Sequence, residues 1–359
     1  MQKATNYMIT RHQIYFQDSR NMEVLASDSA DLVVTSPPYP MIEMWDAMFV
    51  DQNAEIGNAL IGGDGSGAFE LMHRELDAVW EEVRRILKQG GVACINVGDA
   101  TRTINGRFRL YPNHSRILNQ FLKLGFEALP AILWRKQTNA PNKFMGSGML
   151  PPGAYVTLEH EYILILRKGP KREFKRDPEK QNRRQSAFFW EERNTWFSDI
   201  WMDVKGTSQN LGNRSARLRS AAFPFEIPYR LINMFSVKGD VVLDPFLGLG
   251  TTMWAALTAG RNCVGYEIEE GLRDEIYAIA DSIVGYANQR IGRRIRAHVD
   301  YVKQNQCHPG RFKYINQHHR FPVRTRQEID IFINMLTTIQ NTTGNGFEVV
   351  YSIEKTPSL

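Results

Sequence analysis

The chain has 359 residues, of which 43% are hydrophobic and 23% charged, and its formal net charge is +5. This length and balance indicate one large domain with an added lobe, or two domains, and exclude disordered and fibrous proteins. No apolar run reaches the ~18 residues of a membrane span, and the polar start lacks a signal-peptide core. We therefore expect a cytoplasmic protein without membrane contact. The mild excess of basic residues is compatible with a polyanionic partner without proving one.

Apolar strands alternate with amphipathic helices through most of the chain. The predicted strands are 14–16, 31–35, 92–97, 131–134, 162–166, 241–243 and 262–266, and the predicted helices are 70–88, 115–124, 227–235, 252–259 and 328–339. Such alternation predicts an α/β fold with a mostly parallel sheet covered on both faces. The Gly- and Pro-rich stretches 62–67 and 139–153 are predicted as loops, which either close over a ligand or simply connect elements.

The middle of the chain has a different character. In 167–219 the apolar periodicity fades, and basic residues are interleaved with Phe and Trp. The chain then divides into 1–166, this inserted segment, 220–290 where the α/β pattern resumes, and a basic extension, 291–359, of unassigned role. The insertion is either a nucleic-acid recognition region, with cations on phosphates, or a solvated charged surface over core tryptophans.

A glycine turn lies between a predicted strand and a predicted helix, in the stretch Asp244–Thr252. Gly248 and Gly250 let a ligand approach the backbone closely, and the helix N-terminus offers free N–H groups. The stretch is neither a dinucleotide fingerprint, because Met253 replaces the third glycine, nor a P-loop, because the lysine is absent. Glu267 ends the next strand, where a carboxylate can bind both hydroxyls of a ribose. The pattern favours an adenosine-containing ligand without a pyrophosphate over a plain tight turn.

A proline-rich turn, Thr35–Pro40, directly follows the predicted strand residues 31–34. Its two successive prolines lack N–H donors and make a rigid turn at the carboxyl end of the sheet, where open α/β folds place their sites. Tyr39 supplies an aromatic face. By itself this segment would be interpreted as an ordinary turn.

Together the two motifs resemble those of the DNA amino-methyltransferases, which methylate N4 of cytosine or N6 of adenine. In that family (Ser/Asp/Asn)-Pro-Pro-Tyr binds the target base and Asp-Pro-Phe-x-Gly-x-Gly-Thr-Thr binds S-adenosylmethionine. The similarity extends to 97–99, 134–136, 160–164, 199–201 and 223–224, and so covers roughly residues 10–285. With Pro-Pro-Tyr early and Gly-x-Gly late, the order resembles the β group. The resemblance implies a circularly permuted, Rossmann-like methyltransferase fold with an inserted target-recognition region, whose first four strands begin near 241, 262, 14 and 31.

The resemblance also implies residue roles. The expected contacts to the cofactor, S-adenosylmethionine, are Asp18, Phe223, Pro224, Asp244, Phe246, Gly248, Gly250, Thr251, Thr252 and Glu267. Asp18 matches the family's acidic residue that contacts the adenine of the cofactor, although the residue before it is Gln17 where the family usually has glycine. The expected catalytic residues are Ser36, Pro37, Pro38 and Tyr39: the first two accept hydrogen bonds from the amino group, and the tyrosine ring stacks on a flipped-out base. No metal is implied.

Double-stranded DNA is the implied partner, contacted by Arg183, Arg184, Arg214 and Arg217 of the recognition region, and a restriction endonuclease is the implied functional counterpart. Serine at position 36 favours N4 of cytosine, although adenine N6 stays open because those enzymes more often have Asp or Asn there. Methylation at C5 needs a cysteine, typically after proline. The three cysteines, Cys94, Cys263 and Cys307, follow Ala, Asn and Gln, and they form no Cys-x-x-Cys metal or redox pair.

Two further alternatives are an RNA methyltransferase and a catalytically silent DNA-binding protein on the same fold. The extent of the resemblance argues against the first. The intact Ser36, Tyr39, Gly248 and Gly250 argue against the second.

Overall fold

The computed structural model describes residues 8–136, 145–205, 223–305 and 310–352. The described strands are β1 (Met8–Tyr15), β2 (Ala30–Thr35), β3 (Leu87–Val97), β4 (Ala100–Ile104), β5 (Arg107–Tyr111), β6 (Phe126–Arg135), β7 (Met145–Gly146), β8 (Ala154–Tyr155), β9 (His160–Lys168), β10 (Ile200–Trp201), β11 (Val241–Asp244), β12 (Asn262–Tyr266), β13 (Tyr314–Ile315), β14 (Pro322–Val323), β15 (Leu336–Thr342) and β16 (Gly346–Tyr351). The described helices are α1 (Asp46–Gln52), α2 (Ala54–Ile61), α3 (Gly65–Ile86), α4 (Asn113–Lys123), α5 (Asp177–Gln185), α6 (Trp190–Trp196), α7 (Glu226–Phe235), α8 (Thr251–Thr258) and α9 (Arg273–Asn305).

Within the described residues, ten strands form one sheet in the order β10-β6-β9-β3-β2-β11-β12-β1-β16-β15. Of these ten, all but β9 and β16 run in one direction, so the predicted mostly parallel α/β sheet is confirmed. β11 lies between β12 and β2, and β12 lies beside β1. This is the permuted strand order that the sequence predicts.

Both faces of the sheet are covered, which explains the nearly continuous apolar character of its central strands. Successive side chains point to opposite faces of a strand. Val34 and Cys94 pack in the cluster formed with α7, α8 and α9, whereas Val33 and Ala93 pack with α3 and α4. Trp80 of α3 is fully buried, and burying one such side chain contributes on the order of 1.5–3 kcal/mol.

The parallel strands end at one edge of the sheet, here called the carboxyl edge, and begin at the opposite amino edge. The loops after β2, β3, β11 and β12 therefore meet at the carboxyl edge. β9 runs against β3 with Tyr162 opposite Val97, so β9 begins at the carboxyl edge. β6 runs against β9 with Arg135 opposite His160, so it ends there.

The C-terminal part differs from the sequence prediction. The helix predicted over 328–339 is wrong: a short 3-10 turn at Arg326–Glu328 is followed by β15, which pairs with β16 and extends the sheet beyond β1. The hairpin turn uses positive φ angles at Gly344 (108°) and Asn345 (60°). The basic stretch after residue 289 continues α9 to Asn305. No helix in the described part of the chain is long and apolar enough to span a bilayer.

Other differences lie near the predicted loops. The predicted helices 70–88, 115–124, 227–235 and 252–259 are present as α3, α4, α7 and α8. α3 begins at Gly65, inside the predicted loop 62–67, because the Asp64 side chain caps it by accepting the Gly67 N–H at 2.9 Å. Of the predicted loop 139–153, residues 139–144 lie outside the described part, and the rest forms β7 and the turn that leads to its partner strand β8.

Candidate active site

The glycine turn after β11 presents open space to a ligand at one of its two glycines. Gly248 has φ +55°, and a Cβ added there would meet no heavy atom within 4 Å. Gly250 has φ +82°, and its added Cβ would lie 3.1 Å from Trp254 Nε1. Gly248 therefore faces space that a ligand can fill, whereas Gly250 packs against α8, whose first residues are Thr251 and Thr252.

Glu267, at the end of β12, is bound to this turn. Its Oε2 accepts the Gly248 N–H at 2.7 Å, and its Oε1 accepts the Glu269 N–H at 2.8 Å. Burial raises the pKa of Glu267, while the two backbone hydrogen bonds oppose that rise. Each carboxylate oxygen offers about two lone-pair positions, so further hydrogen bonds can be accepted from hydroxyl groups. The structure thus brings the predicted ribose acid to the predicted glycine turn.

Asp18 follows β1 at the same edge. Its Oδ1 accepts the Arg20 N–H at 2.8 Å, and its Oδ2 accepts Arg20 Nε and Nη2 at 2.9 and 2.7 Å. The same guanidinium is paired with Glu75 of α3. Arg20 therefore fixes the direction of the Asp18 carboxylate, and the expected adenine contact of Asp18 stays a prediction.

One buried hydrogen bond joins the glycine turn to the proline-rich turn. Thr35, the last residue of β2, donates its Oγ1–H to Asp244 Oδ1 at 2.6 Å, and the Phe246 N–H donates to the same oxygen at 3.0 Å. Burial raises the pKa of Asp244 to about 6, and hydrogen bonds from Thr252, Thr35 and Phe246 oppose that rise. Because Ser36 directly follows Thr35, the two predicted binding turns lie side by side.

A second cluster, here called the tyrosine network, surrounds the hydroxyl of Tyr39. Ser36 Oγ lies 3.0 Å from the Tyr39 hydroxyl, which donates to Glu161 Oε2 at 3.0 Å. Asn96 Nδ2 donates to the Tyr39 oxygen at 2.9 Å and to Glu161 Oε2 at 2.7 Å, and Lys136 Nζ donates to Glu161 Oε1 at 2.7 Å. Burial, followed by the charge of Glu161, raises the pKa of Tyr39 well above 10. The hydroxyl therefore stays protonated.

Asn96 contributes a buried acceptor. Its Nδ2 is identified by the bond to Glu161, since a carboxylate oxygen only accepts. Its Oδ1 is buried and has no hydrogen-bond partner among the described residues. Gly98, two residues further, packs on the tyrosine ring, where an added Cβ would lie 3.0 Å from Tyr39 Cε2. Pro37 and Pro38 are buried beside these groups.

Known proteins that are similar to this chain identify its family. The family model for DNA methylases of the N6 and N4 type matches residues 30–278. This chain belongs to that DNA methylase family. It is 50% identical over 345 residues to the type II methyltransferase M.MthZI of Methanothermobacter thermautotrophicus, covering 96% of each chain. It is 51% identical over 294 residues to the type II methyltransferase M.MjaI of Methanocaldococcus jannaschii, covering 79% of this chain and 94% of the relative.

Solved structures are also similar to this methylase. One from Thermus thermophilus, described as a putative DNA modification methylase complexed with S-adenosyl-L-methionine, has a TM-score of 0.57 and 33% identity, covering 74% of this chain and 93% of that one. The PvuII DNA methyltransferase, described as cytosine-N4-specific, has a TM-score of 0.50 and 16% identity, covering 76% and 93%. At this low identity, the similarity to the second structure shows only a shared fold.

Asn96, Lys136 and Glu161 of the methylase are not among the site residues predicted from the sequence, although Lys136 and Glu161 lie in segments that carry the family resemblance. One signal was available for Asn96, which is polar and lies in the apolar strand β3. For Glu161, which is 7% exposed in β9, the signal was a charged residue at the start of an apolar run. Their meeting depends on the pairing of β3 with β9.

Of the predicted DNA-contacting arginines, the two that the structure describes are not brought to this site. Arg183 and Arg184 lie on α5, and Arg183 stacks over the Phe174 ring at 4.9 Å. Asn182 Nδ2 donates to the Lys238 carbonyl at 2.8 Å. Because Lys238 precedes β11, α5 lies at the amino edge, opposite the tyrosine network. Arg214 and Arg217 lie outside the described residues.

The aromatic residues of the inserted segment are largely core residues. Phe189, Trp196 and Trp201 are buried, and Trp201 belongs to β10. This arrangement favours the interpretation of the segment's described part as charged surface over core aromatics. Phe223 and Pro224 are buried just before α7, and their predicted cofactor contact stays a prediction.

Proposed function

We propose that this DNA methylase transfers a methyl group to N4 of a cytosine that is flipped out of double-stranded DNA. The observation that carries the proposal is the 2.6 Å hydrogen bond from Thr35 to Asp244. It joins the turn proposed to bind the base to the turn proposed to bind the cofactor. Holding the methyl donor and the amino acceptor in adjoining sites lowers the activation barrier, because the two groups no longer have to meet by diffusion.

The cofactor is S-adenosylmethionine, which supplies an electrophilic methyl group when bound. The residues present fit such a group, because Gly248 faces open space and the Glu267 carboxylate can accept further hydrogen bonds. We propose that Glu267 holds the ribose hydroxyls and that Asp244 positions the turn. The remaining proposed contacts are Asp18, Phe223, Pro224, Phe246, Gly250, Thr251 and Thr252.

At the base site, hydrogen-bond acceptors are the groups that the chemistry needs. The lone pair of the cytosine amino nitrogen is delocalised into the ring, so acceptors on its two hydrogens favour a pyramidal, more nucleophilic nitrogen. The Ser36 hydroxyl and the Pro37 carbonyl are the proposed acceptors. Asn96 Oδ1, buried next to them without a partner among the described residues, supports an acceptor-rich pocket.

Serine at position 36 supports cytosine over adenine N6, which is the second candidate. Methylation at C5 is disfavoured by the state of the described cysteines. Cys94 and Cys263 are buried, and burial raises the pKa of both thiols. A nucleophilic cysteine requires the opposite shift, toward the thiolate.

The deciding experiment identifies the modified base. Plasmid DNA from cells expressing the protein is digested to nucleosides and analysed by mass spectrometry, with a Ser36→Ala variant as control. N4-methylcytosine, reduced in the control, is expected. N6-methyladenine would overturn the base assignment, and 5-methylcytosine would also overturn the proposed role of Ser36 and Pro37. Mapping the modified positions then gives the recognition sequence, and resistance of that DNA to a cognate endonuclease tests the proposed protective role in a type II system.

Paired variants of Tyr39 separate its ring from its hydroxyl. Tyr39→Ala removes the stacking surface proposed for the flipped base, worth ~1–3 kcal/mol or roughly 5- to 150-fold in rate. Tyr39→Phe keeps the ring and loses the bond to Glu161. We expect the phenylalanine variant to retain most of the activity in a methyl-incorporation assay. Equal losses of activity in both variants would show that Tyr39 acts through its hydroxyl rather than through its ring.

A further inference from the structure

An exposed apolar hairpin leaves and re-enters the sheet at the tyrosine network. The chain leaves β6 after Arg135 and enters β9 at His160, and the adjoining Lys136 and Glu161 side chains are ion-paired at 2.7 Å. Arg135 and Glu159 form a second ion pair at 3.1 Å. The hairpin β7–β8 lies within this excursion. Its position is therefore tied to the proposed base site.

The tip of the hairpin, residues 147–153, has a defined shape. The Ser147 N–H donates to the Gly153 carbonyl at 2.9 Å, and the Leu150 N–H donates to the Ser147 carbonyl at 3.3 Å. Gly146 has φ +69°, and an added Cβ would lie 2.1 Å from the Gly153 oxygen, so the turn requires glycine there. This turn presents Met149 and Leu150 to solvent, 85% and 71% exposed.

The hairpin is also braced from the side. Tyr155 of β8 stacks on Phe108 of β5, with ring centroids 4.5 Å apart and planes 12° from parallel. The hairpin β4–β5 is anchored in turn, because Arg102 makes a two-pronged ion pair with Asp46 at 2.8 and 2.6 Å. Tyr111 of β5 is buried. The apolar tip is thus held by the body of the protein next to the carboxyl edge.

Cations beside the hairpin indicate its occupant. Arg107 and Arg109 are exposed on β5, the strand that stacks on the hairpin. Arg135 and Lys136, at the base of the excursion, are about half exposed and each is ion-paired with a glutamate. Apolar side chains flanked by cations match a nucleic-acid duplex, whose backbone is anionic and whose interior is a stack of aromatic bases. A second copy of this basic chain would bring like charges together.

We propose that Met149 and Leu150 form a wedge that enters the DNA duplex where the target base is extruded. The inference rests on the proposed function, since a flipped base is what leaves a gap in the stack. Extrusion costs stacking and pairing energy, and apolar side chains inserted at a base step compensate for lost stacking and hold the opened geometry. The base pocket then holds the extruded base, and the wedge fills the gap that the base leaves in the duplex.

The test compares Met149→Ser/Leu150→Ser with the wild type on two duplexes containing the mapped methylation site. In one the target base is paired, and in the other it faces an abasic position. Leu122→Ser is the matched control, because Leu122 is an exposed leucine, 48% accessible, near the end of α4 at the amino edge. Melting temperatures of all variants check folding.

We expect kcat/KM of the double variant to fall at least tenfold on the paired duplex and less than threefold on the abasic one, where the base is already unpaired. The control should change neither. Loss of the same size on both duplexes, or on neither, would overturn the wedge. A change from dimer to monomer in sedimentation would also overturn it, by assigning the tip to self-association. If the wild type methylates no DNA, the proposed function itself has failed, and that outcome is distinct from all of these.

Discussion

Replacing Thr35 by valine removes the hydroxyl that joins the two turns while keeping the shape of the side chain. In the wild type this hydroxyl donates to Asp244 Oδ1 at 2.6 Å, and Thr35 is fully buried. A hydrogen bond to a charged group contributes about 1.5–3 kcal/mol, and one between neutral groups about 0.5–1.5 kcal/mol. The expected loss of stability therefore depends on whether Asp244 is ionised.

The direction of that pH dependence follows from the pKa of Asp244. Burial already raises it to about 6, and losing the donor raises it further. At pH values between the Asp244 pKa of the wild type and the higher one of the variant, the folded variant binds more protons than the folded wild type. The loss of stability in the variant therefore grows as the pH rises through this range. We expect a deficit of about 2–3 kcal/mol at pH 8 and ~1 kcal/mol at pH 5. A difference of 1–2 kcal/mol corresponds to a pKa increase of about one unit.

Urea unfolding followed by circular dichroism at pH 5 and pH 8 measures both values. Thr35→Ser, which keeps the hydroxyl, should show little pH dependence in its deficit. Thr258→Val is a second control, because the buried Thr258 hydroxyl donates at 2.7 Å to a neutral carbonyl, that of Trp254. A Thr35→Val deficit as independent of pH as that of Thr258→Val would refute the argument that the hydroxyl stabilises an ionised Asp244.

Three further variants test other parts of the structure. Gly248→Ala should weaken S-adenosylmethionine binding at least tenfold by calorimetry, whereas Gly239→Ala, with φ +79° and equally open surroundings, should cost stability without changing affinity. In Arg183→Ala/Arg184→Ala we expect an unchanged salt dependence of DNA binding because α5 lies at the amino edge; a slope lower by about one per lost phosphate contact would instead support the sequence prediction. Burial lowers the pKa of Lys238 from 10.5 to about 7, so the amine takes up a proton on unfolding at any pH between these two values. The free energy of unfolding of the wild type should therefore rise from pH 7 to pH 9 by up to ~1.4 kcal/mol per pH unit, and Lys238→Met should abolish that rise.

The glycine turn, the proline turn and the central strands could be predicted from the sequence because each has a local signal. β2 and β11 are short apolar runs that end in turn-forming residues, and α8 begins at the glycines. Their order in the sheet came from the family resemblance. Spatial adjacency of Gly248 and Glu267 then followed, since neighbouring parallel strands end at one edge.

The tyrosine network could not be predicted in the same way. Asn96 meets Glu161 because β3 and β9 run antiparallel with Asn96 opposite Ile163, and such register is set by long-range pairing rather than by local sequence. The C-terminal error has a similar origin. The apolar spacing over 328–339 is typical of a helix. In the structure, however, Leu336–Thr342 is a strand of the β15–β16 hairpin, which pairs with β1 on the side that β12 leaves free.

The order of the motifs along the chain matters less than the order of the strands in the sheet. Thr35 and Asp244 are 209 residues apart in sequence, yet their side chains share a 2.6 Å hydrogen bond. This contact follows from the pairing of β2 with β11, in which Leu32 lies opposite Val242 and Val33 opposite Leu243, so both strands end side by side. Whatever chain connects them, their carboxyl ends bring the proline-rich turn and the glycine turn to one place. A permuted connection can therefore preserve the site, and the residues between the motifs, including the β7–β8 hairpin, are free to shape how DNA reaches it.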